Sequence, residues 1–489
     1  MAEEKESLYT YIQKNMVEGA LPKEFSLPST APDNEIRFAD GAQDGIAIYH
    51  MADADITAES LKLLEELMHD ISDGNYEGAQ EKLEEFIQQN TPIAAIDEFE
   101  EFIMRNTSWI DPARLHQFGM DCIMSDQVDV VKYGLEIIEV FSEPDEALKE
   151  IIRTLGLCDE FTIFSVFNML RWSNANDEVF AIAKKVHGWG RIHAIERLEP
   201  TSDEIKKWLL EEGIINDILP EYSALEVYQK ADVRTLLTSQ LTQDRLCLVA
   251  KIVNTLLDEG PVYGISAIKD ADAMLLDFLS QVKQFKPDLT LYETVYQIQL
   301  AERSDEVCKA CQELLQTKEA KEAITDWTQK GEALDIAENV GIDFLESLYQ
   351  CIEQDFGSYW HKCEYLFQED AYREKVVELF RQQVSQIHRT DQSEVRVGFG
   401  KEYEDDRRLM YLIQQLDEYP LCGADLVGCA LQSPIVGNRN MALRVLHSWC
   451  EKRACTIKEL STELFEAVET LKSKEHNESV LKNITEYAF

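Results

Sequence analysis

The segment from Val186 to Pro200, VHGWGRIHAIERLEP, brings two histidines, a tryptophan and two arginines close together. His187 and His193 could ligate a metal ion if the chain brought their imidazoles together, and Arg191 could bind an anion. Two histidines are too few for a zinc site without further ligands, and histidine is common at helix ends. The sequence favours a turn between two helices. His187, Trp189, Arg191 and His193 remain candidate contacts for a ligand or a partner.

Two further motifs could bind metal. Cys308 and Cys311 form a C-x-x-C within a helical pattern, but a zinc site needs a second pair and a redox motif needs a preceding strand. ADGAQDG carries Asp40, Gln43 and Asp44, yet lacks the bidentate glutamate that closes a calcium loop. We expect two small core residues and a hairpin turn, respectively. No metal site, cofactor site or catalytic residue is predicted.

The elements that position these residues follow a helical period. NDEVFAIAKKV places apolar residues on one face, with Asn176 as the expected N-cap and Gly188 and Gly190 as the expected left-handed stop. A second helix is predicted over 191–198, closed by Pro200. A third begins at a cap on Thr201 or Ser202 and ends near residue 213. Three helices in so short a stretch match the size of a helical repeat unit.

A recurring helix pattern supports this interpretation. RIHAIERL, RNMALRVL, VKYGLEII and VCKACQEL share a small fourth residue, followed in most by an aliphatic fifth. The small residue would let a neighbouring helix approach closely; the four are Ala194, Ala442, Gly134 and Ala310. The spacing resembles the inner helix of HEAT and armadillo repeats. That resemblance implies an all-α fold, an α-solenoid of antiparallel helix pairs preceded by a partly extended N-terminal segment.

Four regions follow from the pattern. Residues 1–55 contain three prolines and two short apolar runs, Ile36–Phe38 and Ile46–Tyr49, which suggest a small hairpin. Residues 56–387 form the repeat array. Periodicity lapses over 388–406, a possible linker, and residues 407–489 resume as a C-terminal helical block of the same array.

Charge and composition argue against some classes of partner and location. The chain has 489 residues, with 92 acidic against 47 basic and a formal net charge of -45. Such a field repels nucleic acid and anionic lipid, so a basic or neutral protein or peptide is the expected partner. With no signal peptide and no run of 18 apolar residues, the sequence predicts a cytoplasmic location. The eleven cysteines have no disulfide-like spacing.

Three segments together resemble a bacterial group that often carries the name limonene hydroxylase. They are FADGAQDGIAIYHM, KKVHGWGRIHAIERLEP and SPIVGNRNMALRVL, and the resemblance implies an α-solenoid and oxidation of a monoterpene. A hydroxylase needs an oxygen-activating centre. The sequence around Cys422 lacks a haem-thiolate loop, Glu66 with His69 is a lone Glu-x-x-His pair, and GFGKEY at Gly398 is not a dinucleotide fingerprint.

Two functions remain open at this stage. The leading hypothesis is a non-enzymatic cytoplasmic α-solenoid scaffold that binds a protein or peptide partner, because stacked helix pairs present long binding surfaces. The alternative is an oxidoreductase that hydroxylates a monoterpene, which rests on the family resemblance alone. The sequence identifies neither a partner nor catalytic residues.

Overall fold

The computed structural model describes residues 6–28, 38–51, 56–384 and 400–487. Within them the chain forms 30 α-helices and four short 3-10 helices, and the only extended pairing is an isolated bridge between Val17 and Ala20. The predicted all-α fold is confirmed. Among these residues, no helix has both the length and the apolar character needed to cross a membrane.

The chain divides into two compact units, one of residues 1–286 and 290–312, the other of residues 287–289 and 313–489. The helices before residue 305 are α1 (Leu8–Asn15), α2 (Ala42–His50), α3 (Ala58–Asp73), α4 (Tyr76–Gln89), α5 (Pro92–Arg105), α6 (Pro112–Ile123), α7 (Val128–Glu139), α8 (Glu146–Leu155), α9 (Thr162–Leu170), α10 (Ala175–Ala183), α11 (Trp189–Arg197), α12 (Asp203–Glu212), α13 (Glu221–Lys230), α14 (Val233–Leu237), α15 (Gln243–Leu257), α16 (Ala271–Val282) and α17 (Leu289–Leu300).

The remaining helices are α18 (Asp305–Leu315), α19 (Lys318–Thr328), α20 (Leu334–Val340), α21 (Leu345–Gln354), α22 (Phe356–Tyr359), α23 (Glu364–Phe367), α24 (Asp370–Val384), α25 (Glu404–Gln415), α26 (Ala424–Ala430), α27 (Val436–Arg453), α28 (Ile457–Leu460), α29 (Thr462–Lys474) and α30 (Glu478–Glu486). The predicted linker at 388–406 lies outside the described residues up to position 399. Residues Lys401–Tyr403 form a short 3-10 helix.

Within the first unit, helices α5 to α13 form two layers. Helices α5, α7, α9, α11 and α13 pack side by side in that order, and we call them the front layer. Behind them α6 pairs with α7, α8 with α9, α10 with α11, and α12 with α13. Successive helix pairs stacked through their neighbours are the arrangement that a helical-repeat array predicts.

The small residues of the recurring pattern mark close helix contacts. Ala194 and Ala442 are fully buried, as predicted. A Cβ atom on Gly134 would lie 2.7 Å from the backbone nitrogen of Ile123, so α6 and α7 approach more closely there than alanine would allow. Ala310 is only half-buried, which fits its looser match to the pattern.

One predicted helix cap needs correction, and another is confirmed. Helix α10 begins at Ala175 with Asn174 as its N-cap, so Asn176 is not the cap. The Asn176 amide instead donates to the backbone oxygen of Glu199 and accepts from its backbone nitrogen, which fixes the segment before α12. The predicted cap of α12 by Ser202 is confirmed, since its hydroxyl accepts from the Ile205 backbone nitrogen.

The predicted N-terminal hairpin is wrong. Its second strand, Ile46–Tyr49, lies within helix α2, and of its first strand, Ile36–Phe38, only Phe38 is described. The helix begins after Gly41, whose φ of 78° places it in the left-handed region that favours glycine. The side of α2 that faces the front layer carries Ala42, Gly45 and Tyr49, which recur at helical spacing. This spacing favours a helix, although the short apolar run Ile46–Tyr49 suggests a strand.

Substituting the two helix glycines Gly134 and Gly428 tests the close packing. We expect Gly134→Ala to destabilise the protein by roughly 1–3 kcal/mol, because its methyl group meets backbone. Gly428 in α26 has only Leu464 Cδ2 at 3.7 Å, so Gly428→Ala should stabilise by about 0.5–1 kcal/mol through a better helix propensity. Urea midpoints measure both. Equal shifts of the same sign would contradict the packing argument.

Candidate functional site

Helix α2 lies on the front layer, to which it is tied by residues from three of its helices. Asp44 pairs with Lys132 of α7, Gly45 packs against Trp189 of α11, and Tyr49 contacts Tyr222 of α13. Helix α2 also packs on α5. A segment from the N-terminal region is therefore held on the surface that the repeat helices build.

The polar half of this contact centres on a buried lysine. The Lys132 ammonium, 2% exposed, lies 2.7 Å from Asp44 Oδ2 and 2.5 Å from Glu160 Oε1. Burial raises the pKa of Asp44 to about 6, although the Lys132 charge opposes that rise. Glu160 also accepts the backbone N–H of Gly41, so the same carboxylate fixes the start of α2. Together, Lys132, Asp44 and Glu160 join α7, α2 and the turn before α9.

Glu136 lies one helical turn beyond Lys132 and is fully buried. Neither of its carboxylate oxygens has a hydrogen-bond partner within the described part of the chain. Burial raises its pKa well above the usual value, and the nearby carboxylates of Glu139 and Glu100 raise it further. An ionised carboxylate would be costly there, so Glu136 is held in its neutral form.

The apolar half is an aromatic cluster at the other end of α2. The Tyr49 ring lies with its centroid 6.0 Å from that of Trp189 and 5.0 Å from that of Tyr222. It stacks on the His193 ring at 6.2 Å and 9°. His50 and the Tyr222 hydroxyl are 2.7 Å apart. Any Cβ atom on Gly45 would overlap the Trp189 indole, so glycine is required at this position.

The turn VHGWG is organised by a carboxylate from a neighbouring helix pair. Asp159 accepts the backbone N–H of Gly190 at 2.7 Å and that of Gly188 at 3.3 Å. Burial raises the pKa of Asp159 to about 7, while these two N–H donors lower it. Gly188 has φ of -98°, so the predicted left-handed stop is wrong. The glycines are needed because Cβ atoms would meet the Asp159 carboxylate.

A cavity of about 480 Å³ adjoins this turn. Its walls come from the segment 21–26, the start of α2, and the turns before α9, α11 and α13. Lys23 closes one side through a 2.7 Å ion pair with Asp217. The cavity thus lies at the edge of the front layer, beside the carboxylates of Asp40 and Asp159.

The structure separates the four predicted site residues. His187 is exposed and lines the cavity, whereas His193 is 1% exposed and packs beneath Tyr49. Arg191 is buried, donates to the Glu212 backbone oxygen at 2.8 Å and lies over the Trp208 ring. Trp189 is buried against α2. Within the described ranges, no cluster of three histidine, cysteine or acidic residues could hold a metal ion.

The remaining motif residues have ordinary surroundings. Cys311 is buried in α18 and Cys308 is half-buried, with its thiol donating to the Arg303 backbone oxygen at 3.7 Å. Asp40 accepts the Leu27 backbone N–H, and Asp44 belongs to the Lys132 pair, so ADGAQDG is the start of α2 rather than a hairpin turn. Gln43 is exposed.

The charged residues beneath α2 were not predicted from the sequence. Lys132 and Glu136 occur in VKYGLEII, between residues that are apolar on every helical face, and that composition is the signal that could have marked them as buried. Asp159 carried no signal, because its partners are backbone groups 29 and 31 residues away. Contacts between residues so far apart along the chain cannot be predicted from a local sequence pattern.

Comparisons with known proteins identify no family. No family model matches the chain, and no curated protein matches it. Among solved structures, the crystal structure of an engineered protein is similar over 87% of this chain and 98% of its own, at 16% identity and a TM-score of 0.25. A TM-score of that size carries no inference about fold or function.

The stability of the protein should depend on pH between 6 and 8. Folding raises the pKa of Asp159 and Glu139 to about 7 and that of Asp44 to about 6, so the native state binds more protons than the unfolded state. The free energy of unfolding should therefore fall by on the order of 2–3 kcal/mol as pH rises from 6 to 8.

His193 acts in the opposite sense. Burial lowers its pKa, so the unfolded state takes up the proton first, and this histidine alone lowers the free energy of unfolding as pH decreases below about 6.5. The three carboxyl groups outnumber this single histidine, so urea unfolding at a series of pH values should show a free energy that continues to rise as pH falls from 6 to 5. A free energy that stays constant or rises from pH 6 to pH 8 would contradict the assignment.

Replacing Glu136 and Lys132 separates an unpaired buried group from a paired one. We expect Glu136→Met to stabilise the protein by roughly 1–3 kcal/mol, because it removes an unpartnered buried carboxyl. Lys132→Met, one turn earlier in α7, should destabilise by roughly 3–5 kcal/mol by leaving Asp44 without its cation. Denaturant unfolding measures both. Destabilisation by Glu136→Met would indicate that the carboxyl is satisfied.

Proposed function

We propose that the protein is a non-enzymatic scaffold that binds a protein or peptide partner through the front layer of its first unit. The observation that carries this proposal is that the layer already holds a short helix, α2, by an ion pair and an aromatic cluster. Stacked helix pairs commonly use such surfaces to bind extended or helical segments. The layer offers the two kinds of contact that a partner segment needs.

The chemistry of the partner follows from the charge. With a net charge of -45, the chain repels nucleic acid and anionic surfaces over long range, so a basic or neutral protein partner fits best. One edge of the front layer combines exposed apolar side chains with carboxylates. Met104, one helical turn after Glu100 in α5, is 60% exposed, and Leu170 at the end of α9 is 43% exposed. Arg171, the residue after Leu170, bridges Glu100 and Glu139.

Membership in the bacterial group often named limonene hydroxylase is also proposed. Two of its three segments, FADGAQDGIAIYHM and KKVHGWGRIHAIERLEP, pack against each other through Gly45 and Trp189, which supports treating them as one functional unit. Monoterpene oxidation itself rests on the resemblance alone. Limonene turnover by the purified chain with a reductant system would replace the scaffold proposal with an enzymatic one.

Capture of a partner with matched surface variants tests the scaffold. Tagged protein should retain a stoichiometric partner from its host lysate at low and moderate salt, with cross-links on α5, α7 or α9. Met104→Lys with Leu170→Lys should reduce retention about tenfold or more, because two cations replace apolar contacts. Leu300→Lys on α17, equally exposed at 52%, should not.

Three results would overturn the proposal. The first is the absence of any stoichiometric partner at both salt concentrations. The second is cross-links confined to helices outside the front layer. The third is equal loss of the partner in the Leu300→Lys control, which would show that added positive charge alone weakens the complex.

A further inference from the structure

We propose that α2 is a displaceable occupant of the front layer, and that the layer recognises a partner helix with the chemistry of α2. That chemistry is a carboxylate, a glycine directly after it and an aromatic ring four residues further on, as in Asp44, Gly45 and Tyr49. The inference rests on the proposed function and adds the kind of partner segment and its competitor within the chain.

The carboxylate is selected by Lys132. Its ammonium is buried and hydrogen-bonds to two carboxylates, Asp44 from α2 and Glu160 from the array itself, while Asp129 of α7 lies 4.0 Å away. Because Glu160 and Asp129 belong to the array, Lys132 keeps counter-ions when α2 leaves, and the layer can persist without α2. The vacated position then leaves a hydrogen-bond donor of the ammonium open to a carboxylate of the partner.

The glycine is selected by Trp189. Gly45 packs so closely on the indole that any side chain at its position would overlap the ring, while Ala42 fills the adjoining space. A partner helix must therefore present a small residue at one position and glycine at the next turn. This steric filter rejects most amphipathic helices, whose buried faces carry large aliphatic residues.

The aromatic position contains unused hydrogen-bonding capacity. Both His193 nitrogens are buried without a hydrogen-bond partner in the described structure, and the Glu196 carboxylate is 3.9 Å from Nδ1. The Tyr49 ring stacks on the imidazole but does not satisfy it. A partner side chain with a polar group at this position would satisfy His193 and bind better than α2 does.

The hold on α2 is limited in extent. The helix has nine residues, and helices of this length are marginal on their own in water. Gln43, Ile46 and Ile48 face away from the layer and are exposed, and His50, also exposed, contacts the layer through Tyr222. Only one face contributes binding free energy, so the advantage of α2 over a free segment comes largely from its covalent linkage, which acts as a high effective concentration.

A labelled peptide of residues 38–51, FADGAQDGIAIYHM, added to the full-length protein tests the proposal. The wild-type chain should bind it weakly, because its own α2 competes. Gly45→Leu in the protein unseats α2 without altering the layer and should tighten peptide binding by about tenfold or more, measured by fluorescence anisotropy. Gln43→Leu, on the exposed face of α2, is the matched control and should behave as wild type.

Peptide variants test the chemistry without perturbing the protein. Peptides carrying Asp44→Asn or Gly45→Leu should bind the Gly45→Leu protein at least about fivefold more weakly than the parent peptide. A second protein variant, Asp44→Lys, unseats α2 by placing a cation against Lys132 and should also tighten binding of the parent peptide.

Several results would overturn the inference. Equal peptide affinity for the wild-type and Gly45→Leu proteins would show that α2 does not compete. Equal affinity of all three peptides would remove the chemical selectivity. Loss of cooperative unfolding in both Gly45→Leu and Asp44→Lys would show that α2 is needed for the fold. A wild-type dimer with exchanged α2 helices would make a second copy the occupant.

The outcomes also separate this inference from the scaffold proposal. If a partner cross-links to the front layer but the peptide never binds, the layer is a docking surface that does not recognise the chemistry of α2. If the peptide binds only the unseated variants and no partner is retained from a lysate, the recognition is intramolecular and the scaffold proposal fails.

Discussion

The buried Lys132 ammonium is the interaction on which the first unit depends most. An ammonium at 2% exposure is tolerable only with carboxylates in direct contact, and no single helix supplies both. Asp44 comes from α2, Glu160 from the turn before α9, and Lys132 itself from α7. Because the buried ammonium needs its carboxylate partners, these three segments are held together. The same turn positions α11, because Asp159, the neighbour of Glu160, accepts two N–H groups at the start of that helix. One short turn therefore organises both the array and its occupant.

Much of the fold was predictable because it depends on local pattern. Apolar residues at helical spacing gave α10, α11 and α12 nearly at their observed bounds, and the small residues Ala194 and Ala442 are buried as expected. The failures share a cause. Asn176 hydrogen-bonds to Glu199 in the segment after α11, and the glycines of VHGWG hydrogen-bond to Asp159 of the preceding helix pair. Ile46–Tyr49 is helical because Gly45 and Tyr49 both contact Trp189. Local secondary-structure propensity carries no information about contacts between helices that are distant in the sequence.

The candidate site was predicted only in part. Trp189 and His193 do lie against α2, but as buried supports rather than exposed ligands, and His187 turns instead toward the cavity. Lys132 and Glu136 were missed, since a lone charge in an apolar helix is usually interpreted as solvent-exposed, and Asp159 was missed because it lies in a turn and its partners are distant backbone groups. Two arginines are further examples of charged side chains that are buried in the repeat helices. Arg191 and Arg439 both open a copy of the recurring pattern and both are buried, Arg439 against Glu475 at 2.7 Å.

If the chain binds a partner as proposed, electrostatics acts on that partner at two levels that differ in sign. Around the molecule, out to the Debye length of ~10 Å, the excess of acidic residues attracts basic chains and disfavours acidic ones. At the layer itself Lys132 requires a carboxylate. A second acidic group beside that carboxylate would lie near the buried Glu136, where water is excluded and a further charge is costly. A segment that satisfies both conditions has one carboxylate within a neutral or basic sequence. Under this proposal the charge of the chain controls encounter, while Lys132, Trp189 and His193 control which segment stays bound.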